Sequence, residues 1–348
     1  MSYFRPNIDA MSGYQPGEQP RGGELIKLNT NENPYGPSPH VIEAICGAAT
    51  ERLRKYPDPM ATAFREQAAK LLGVEPNWIL AGNGSDDLLT IVTRSFVGPG
   101  ELVVAPTPSY ILYRSLAEIE GASYTEVPFT TDWGLPDTFA RADARLTFLP
   151  NPNSPSGTMI SIGRVRELAG RLAGRSPLVV DEAYADFADA DCIALVRELD
   201  NVIVTRSLSK SYSLAGIRFG FAVAQPPLIE GMIKVKDSYN CDAVSIAAAT
   251  AALADQEHFR QNIARVRATR QRLTLAMRQF GFHVVDSQAN FVWCNNGPAP
   301  ARQLYEQLKQ RGILVRYMNY AGSGDGLRVS VGSDIEIDRL IEQLKSLV

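Results

Sequence analysis

The 348-residue chain is poor in the residues that build metal centres and disulfide frameworks. Its four cysteines, Cys46, Cys192, Cys241 and Cys294, form no C-x-x-C pair, and its three histidines, His40, His258 and His283, are scattered. That spacing argues against a zinc site, and a chain this long needs no cross-links to hold a core. A reducing cytoplasm is the expected compartment. Charge of one sign is also in short supply: 35 basic residues face 38 acidic ones, a formal net charge of −3. No broad field is available to gather nucleic acid or an anionic membrane, so any anion must be caught by local groups. Long hydrophobic runs are missing as well. Nowhere do about eighteen apolar residues follow one another, and the opening MSYFRPNIDAMSGYQPGEQPRGG has no apolar stretch of signal-peptide length. The expectation is a chain neither secreted nor membrane-spanning.

What is present is enough apolar content, 45%, to bury a sizeable core in about two domains. Residues 1–30 are rich in Pro, Gly and polar side chains and read as an extended N-terminal arm. A helix is expected from Pro39, with Val41, Ile42 and Ile45 on one face. From about residue 60, helical patterns alternate with the short apolar runs WILAG, ELVVAP, ASYTEVP, RLTFLP, PLVVD, NVIVTRS and RFGFAVA. Strands alternating with helices predict an α/β fold on a largely parallel sheet, with its ligand site beyond the strands' carboxyl ends. An alanine-rich helical stretch after 240 reaches 280, with a break near Asp255. The remainder reads as a small α+β unit. The expected division is a 31–240 large domain, of which 31–55 could pack with the small one, and a 241–348 small domain.

The candidate chemistry follows the apolar runs. In SLSKSYSLAGIRFG, residues 207–220, Lys210 stands just after a predicted strand, among Ser207 and Ser209 and eight residues before Arg218. A single lysine is most often surface charge. It becomes a nucleophile only when burial or neighbouring cations lower its pKa from about 10.4, and the flanking hydroxyls and guanidinium could hold an anion. That combination suits a phosphorylated carbonyl cofactor held as an imine, as pyridoxal phosphate is, which also needs a carboxylate at its pyridine nitrogen. Asp181, directly after PLVV, is the carboxylate candidate, against the plainer role of turn former or cap. Tyr184, three residues on, could reach the ring's phenolate oxygen or simply pack. The anion candidate is AGNGSDDLLTIV, where Ser85 and Asp86 open an amphipathic helix whose backbone amides can bind phosphate. A plain helix capped by Ser85 or Asp86 fits the same letters. G-x-G without its third glycine weakens a dinucleotide-binding reading. Tyr110, after ELVVAP, could lie over the ring of a cofactor.

The ordered set NENPYGPSP, YPDP, GNGSDD, NPNSPSG, VVDEAY, SLSKSYSLAGIRFG and LRVSVG, spread over about residues 12–345, resembles the aspartate-aminotransferase superfamily of fold type I pyridoxal-phosphate enzymes. Within it, the histidinol-phosphate aminotransferases are most similar. The resemblance implies a large domain with a mostly parallel sheet between helices and a smaller α+β domain. It implies that Lys210 holds the cofactor's aldehyde, Asp181 pairs with the pyridinium and Tyr184 bonds the phenolate oxygen. Tyr110 would stack on the ring, and Ser85, Asp86, Ser207, Ser209 and Arg218 would surround the phosphate. Tyr56 in KYPDP resembles the tyrosine that reaches the neighbouring subunit's cofactor, which requires a homodimer. The family's turn N-P-N-N-P-T-G differs here in one position that matters: the asparagine that bonds the phenolate oxygen is Ser154, so that Ser154, Asn153 or Tyr184 must take over. Arg328 matches the arginine that binds a substrate carboxylate, Arg316 the second arginine used for a phosphate, and Tyr14 an arm residue that closes over the substrate.

The implied reaction moves an amino group between L-histidinol phosphate and 2-oxoglutarate in histidine biosynthesis, with ping-pong kinetics. An aromatic amino acid aminotransferase and a threonine-phosphate decarboxylase would use the same lysine.

Overall fold

The computed structural model describes residues 2–13, 18–19, 25–320 and 324–348. The chain opens with α1 (Pro6–Ala10), β1 (Ile26–Lys27), α2 (Pro39–Ala48) and α3 (Thr62–Leu72). Alternation then sets in: β2 (Ile79–Gly82), α4 (Ser85–Phe96), β3 (Leu102–Thr107), α5 (Leu112–Ile119), β4 (Ser123–Pro128), β5 (Ala144–Pro150), α6 (Ile162–Leu172) and β6 (Leu178–Asp181). It continues through α7 (Leu195–Glu198), β7 (Val202–Ser207), β8 (Gly220–Val223) and α8 (Pro226–Ile233). After α9 (Ala243–Ala254) and α10 (Gln256–Gln279) come β9 (His283–Val284), β10 (Phe291–Asn295), α11 (Ala301–Gln310), β11 (Ile313–Leu314), β12 (Arg316–Tyr320), β13 (Gly324–Ser330) and α12 (Asp334–Leu344).

The seven apolar runs form one sheet in the order β2-β8-β7-β6-β5-β3-β4. Only β8 runs against its neighbours; the pairs β7·β6, β6·β5, β5·β3 and β3·β4 are parallel. Successive residues of each strand enter opposite layers, Val180 and Val204 one and Val179 and Ile203 the other. Helices cover both layers, which is why the strands read as unbroken apolar runs rather than alternating ones. Six strands therefore present carboxyl ends, and β8 its amino end, to a single edge of the sheet. A four-stranded antiparallel sheet, β12-β13-β10-β9, packs with α11 and α12 around Leu304, Val329 and Leu340 as a second, smaller core.

Two details differ from what the sequence predicts. The stretch up to residue 30 is not wholly extended: Asn7 and Arg5 donate to the Glu118 and Ile119 carbonyls at the end of α5. Further on, β1 pairs in parallel with β11, and Leu28 is buried in the small core. In α2, Val41 is buried and Ile45 partly so, but Ile42 is half exposed, because the i, i+4 pair defines the stripe and Ile42 lies about 100° away from Val41. The helical break falls at Asp255, which ends α9 and caps α10 by accepting from the His258 amide. Cys241, Ile246, Ala249 and Leu253, beyond the division expected at residue 240, pack with Val41 into the core of the large sheet.

Gly220 marks the closest approach at the site's edge. A Cβ there would lie 2.7 Å from the Arg206 carbonyl oxygen and 2.9 Å from backbone atoms of Gly84 and Ser85. Gly220→Ala is expected to lower stability by ~1–3 kcal/mol, measured as a lower urea midpoint; an unchanged midpoint would mean that β8 and α4 separate without cost.

Candidate active site

A cavity of roughly 320 Å³ opens at the strands' carboxyl ends, between the two sheets. Its wall brings together Ser85, Asp86, Tyr110, Ser154, Asp181, Tyr184, Ser207, Ser209, Lys210, Arg218, Arg316 and Arg328, which are widely separated along the chain.

The anion end lies where β2 gives way to α4. Gly84, at φ 86°, is the N-cap, and Ser85 is the first helical residue. Neither Ser85 nor Asp86 is the N-cap residue, and a helix amino terminus of this kind can receive an anion on its first-turn amides. A Cβ on Gly84 would meet Arg218 Nη2 at 2.7 Å, so the glycine gives the guanidinium its place. Arg218 donates to Ser209 Oγ at 3.0 Å, and Ser207 Oγ accepts from the Ser209 amide at 3.2 Å. Asp86 accepts from Tyr110 Oη at 3.1 Å and lies 3.7 Å from Arg218 Nη2. Its negative side chain is thus tied to these two groups, and toward an anion it has only its backbone amide to offer.

Lys210 Nζ donates to the Thr30 carbonyl at 3.1 Å. Burial, helped by the Arg328 charge and opposed by Glu32, pushes its pKa down to about 8. Asn33 fixes the loop from the other side by donating to the Lys210 and Ser211 carbonyls. Asp181 ends β6 with only 5% exposure. Burial pushes its carboxyl up to about 6, against the pull of donors from Tyr113, the Ala183 amide and Thr205. Tyr184 receives Asn31 Nδ2 at 3.1 Å, and burial raises its phenol.

The other end of the cavity belongs to the small sheet. Arg328 on β13 donates to Ser154 Oγ at 2.9 Å and to the Asn29 carbonyl at 3.1 Å. Arg316 stands directly opposite Arg328 in the antiparallel register. Like charges so placed repel unless an anion is shared.

Asn153 is the exception among the cofactor candidates. It is buried at 1% exposure, spends its amide on the Pro108 carbonyl and Ser156 Oγ, and lies off the cavity wall. It shapes the turn, leaving Ser154 and Tyr184 at the cavity. Tyr56 is 80% exposed and stacks on Tyr239, with ring centroids 4.4 Å apart, beside a separate surface hollow. Tyr14 lies outside the described residues. The sequence reading missed Tyr113, whose hydroxyl meets Asp181, and Asn31, which accepts Ser330 Oγ while donating to Tyr184. Tyr113 was visible only as an aromatic residue three beyond Tyr110, early in α5. Asn31 sits within NTNENPYG.

The profile of the family described as aminotransferase class I and II matches residues 23–344. The chain belongs to the class I and II aminotransferases. Among its relatives in this family, a histidinol-phosphate aminotransferase of Rhodopirellula baltica is 55% identical over 338 residues, covering 96% of this chain and 93% of its own. Histidinol-phosphate aminotransferase 1 of Trichormus variabilis is 46% identical, covering 100% of this chain and 99% of its own. The crystal structure of histidinol-phosphate aminotransferase from Sinorhizobium meliloti, in complex with pyridoxal-5′-phosphate, is similar with a TM-score of 0.90 at 29% identity, over 100% of this chain and 99% of that one. The α/β fold with its mostly parallel sheet is thus that of the fold type I aminotransferases.

In this aminotransferase chain the raised carboxyl of Asp181 costs stability at neutral pH. Its folded pKa lies above the ordinary value of about 3.9, so its contribution is favourable below that value and is lost as pH rises through about 6. Asp181→Asn is expected to raise the stability of the ligand-free protein at pH 7.5 by ~1–3 kcal/mol, read as a higher urea midpoint, and to flatten its dependence between pH 4 and 7. A less stable variant at pH 7.5 would contradict this.

Proposed function

We propose that this chain transfers the amino group of L-histidinol phosphate to 2-oxoglutarate, giving imidazole-acetol phosphate and L-glutamate in histidine biosynthesis, with pyridoxal 5′-phosphate as cofactor. The observation that carries the reading is the convergence, in one cavity, of Lys210 with its depressed pKa, the buried Asp181 and the facing pair Arg316 and Arg328.

The residues fit the cofactor. Gly84 leaves a cradle that a side chain would fill, with helix amides, Ser85, Ser207, Ser209 and Arg218 around it for a phosphate. Asp181 would hold the proton at the pyridine nitrogen, Tyr110 would pack on the ring, and Tyr184 and Ser154 would bond the phenolate oxygen. When bound, pyridoxal phosphate supplies an aldehyde that takes up amino groups and a ring that accepts electrons from the substrate's α-carbon.

Lys210 Nζ removes the α-proton and returns it one carbon away, a general acid–base task for an amine whose pKa lies near working pH. Arg328 takes the carboxylate of glutamate or 2-oxoglutarate. Together with Arg316 it takes the phosphate of the other substrate, a dianion matched to two guanidiniums. Because both substrates claim the same arginines they must bind in turn, so the kinetics are ping-pong. Tyr56, exposed on its surface, completes the cofactor site of a second copy in a homodimer. The cytoplasm suits its free cysteines, and no helix among the described residues is long and apolar enough to cross a membrane.

Initial rates with histidinol phosphate, phenylalanine and threonine phosphate test the assignment; histidinol phosphate is expected to lead, and a preference for either alternative would replace it. Lys210→Ala is expected to abolish turnover while phosphate binding persists. Arg316→Ala is expected to raise KM for histidinol phosphate by about ten- to a hundredfold and that for glutamate much less. Equal losses for the two would take Arg316 out of the phosphate site.

A further inference from the structure

Tyr113 is fully buried on α5 and does not border the cavity, yet its hydroxyl donates to Asp181 Oδ2 at 2.7 Å. The other contacts of that carboxylate are long: Thr205 Oγ1 and the Ala183 amide each stand 3.3 Å from Oδ1. Tyr113 is therefore its one short donor among these. Its ring is held on two sides, stacked on Phe148 with centroids 4.6 Å apart and edge-on to Tyr110 at 5.7 Å. Tyr110 in turn is tied to Asp86. One buried phenol thus sets both the acid expected at the pyridine nitrogen and the ring expected on the cofactor's face.

Resting on the cofactor assignment above, we infer that Tyr113 is the positioning residue for Asp181, its hydroxyl keeping the carboxylate ionised and aimed at the cofactor. The choice of a phenol has a physical reason. A neutral donor stabilises the anion without cancelling its charge, whereas a lysine or arginine in the same place would compete with the pyridinium for it. The groups around Asp181 give no substitute. Thr205 on β7 is neutral and distant, Tyr184 is a neutral phenol, and Asp86 on α4 is a like charge that favours the protonated form. Without the Tyr113 hydroxyl the carboxyl takes up its proton at a higher pH and ceases to hold the pyridine proton.

The test is the pH dependence of pyridoxal phosphate affinity, measured by titrating ligand-free protein between pH 6 and 8.5. Tyr113→Phe keeps the stacking and removes only the hydroxyl. It is expected to bind the cofactor about tenfold more weakly than wild type near pH 6.5, with the gap closing toward pH 8.5. Phe148→Leu loosens the stacking and keeps the hydroxyl, so it should lower thermal stability and leave the pH profile as in wild type. Superimposable profiles for Tyr113→Phe and wild type would overturn the inference, as would a Phe148→Leu profile displaced like that expected of Tyr113→Phe. Wild-type protein that binds no pyridoxal phosphate at any pH would instead remove the cofactor assignment beneath it.

Discussion

Asp181 ends β6 and Lys210 follows the adjacent strand β7, and the low-dielectric interior presses each toward its neutral form. Lys210 donates to a backbone carbonyl, and Asp181 accepts from hydroxyls and an amide, so both are held by neutral groups. Such groups fix position without quenching charge or nucleophilicity. The rest of the site serves this condition. Cationic side chains stand at its two ends, Arg218 by the α4 amino terminus and Arg316 with Arg328 on the small sheet, where they can meet anions at either side of the reacting centre.

Behind the site the fold treats charge in the opposite way. Buried Arg206 is ion-paired with Glu182 at 2.8 Å, Asp186 at 2.6 Å and Asp191 at 3.1 Å. Ser211 donates to the same Asp186. Glu182 adjoins Asp181 in the chain, and Ser211 adjoins Lys210. The paired charges therefore brace the two loops that carry the unpaired ones. Removing one partner of such a cluster leaves a buried charge uncompensated and is far more damaging than breaking a surface pair.

The sheet was legible in the sequence because each strand, covered on both faces, is an apolar run bounded by turn residues. The order of chemical groups was legible because each follows such a run, and the strands' carboxyl ends converge. What escaped were relations that depend on distant chain segments. Ser154 and Arg328 lie 174 residues apart, and Asn31 meets Ser330 across 299. Asn153 and Ser154 are neighbours in one turn, and only packing decides that the first is spent on the Pro108 carbonyl while the second faces the cavity. Tyr113 reads like any core aromatic until its hydroxyl is located. The pairing of β1 with β11 left no trace in a Pro- and Gly-rich segment, since two residues are too few to show a period.

The facing of Arg316 and Arg328 across one rung of the small sheet has a consequence for handling the protein. Two guanidiniums in register are an electrostatic load on the small sheet, relieved by whatever multivalent anion is at hand. The choice of buffer is therefore not neutral: phosphate or sulfate would rest between the two guanidiniums and steady the small sheet, whereas chloride at equal ionic strength would do little of this.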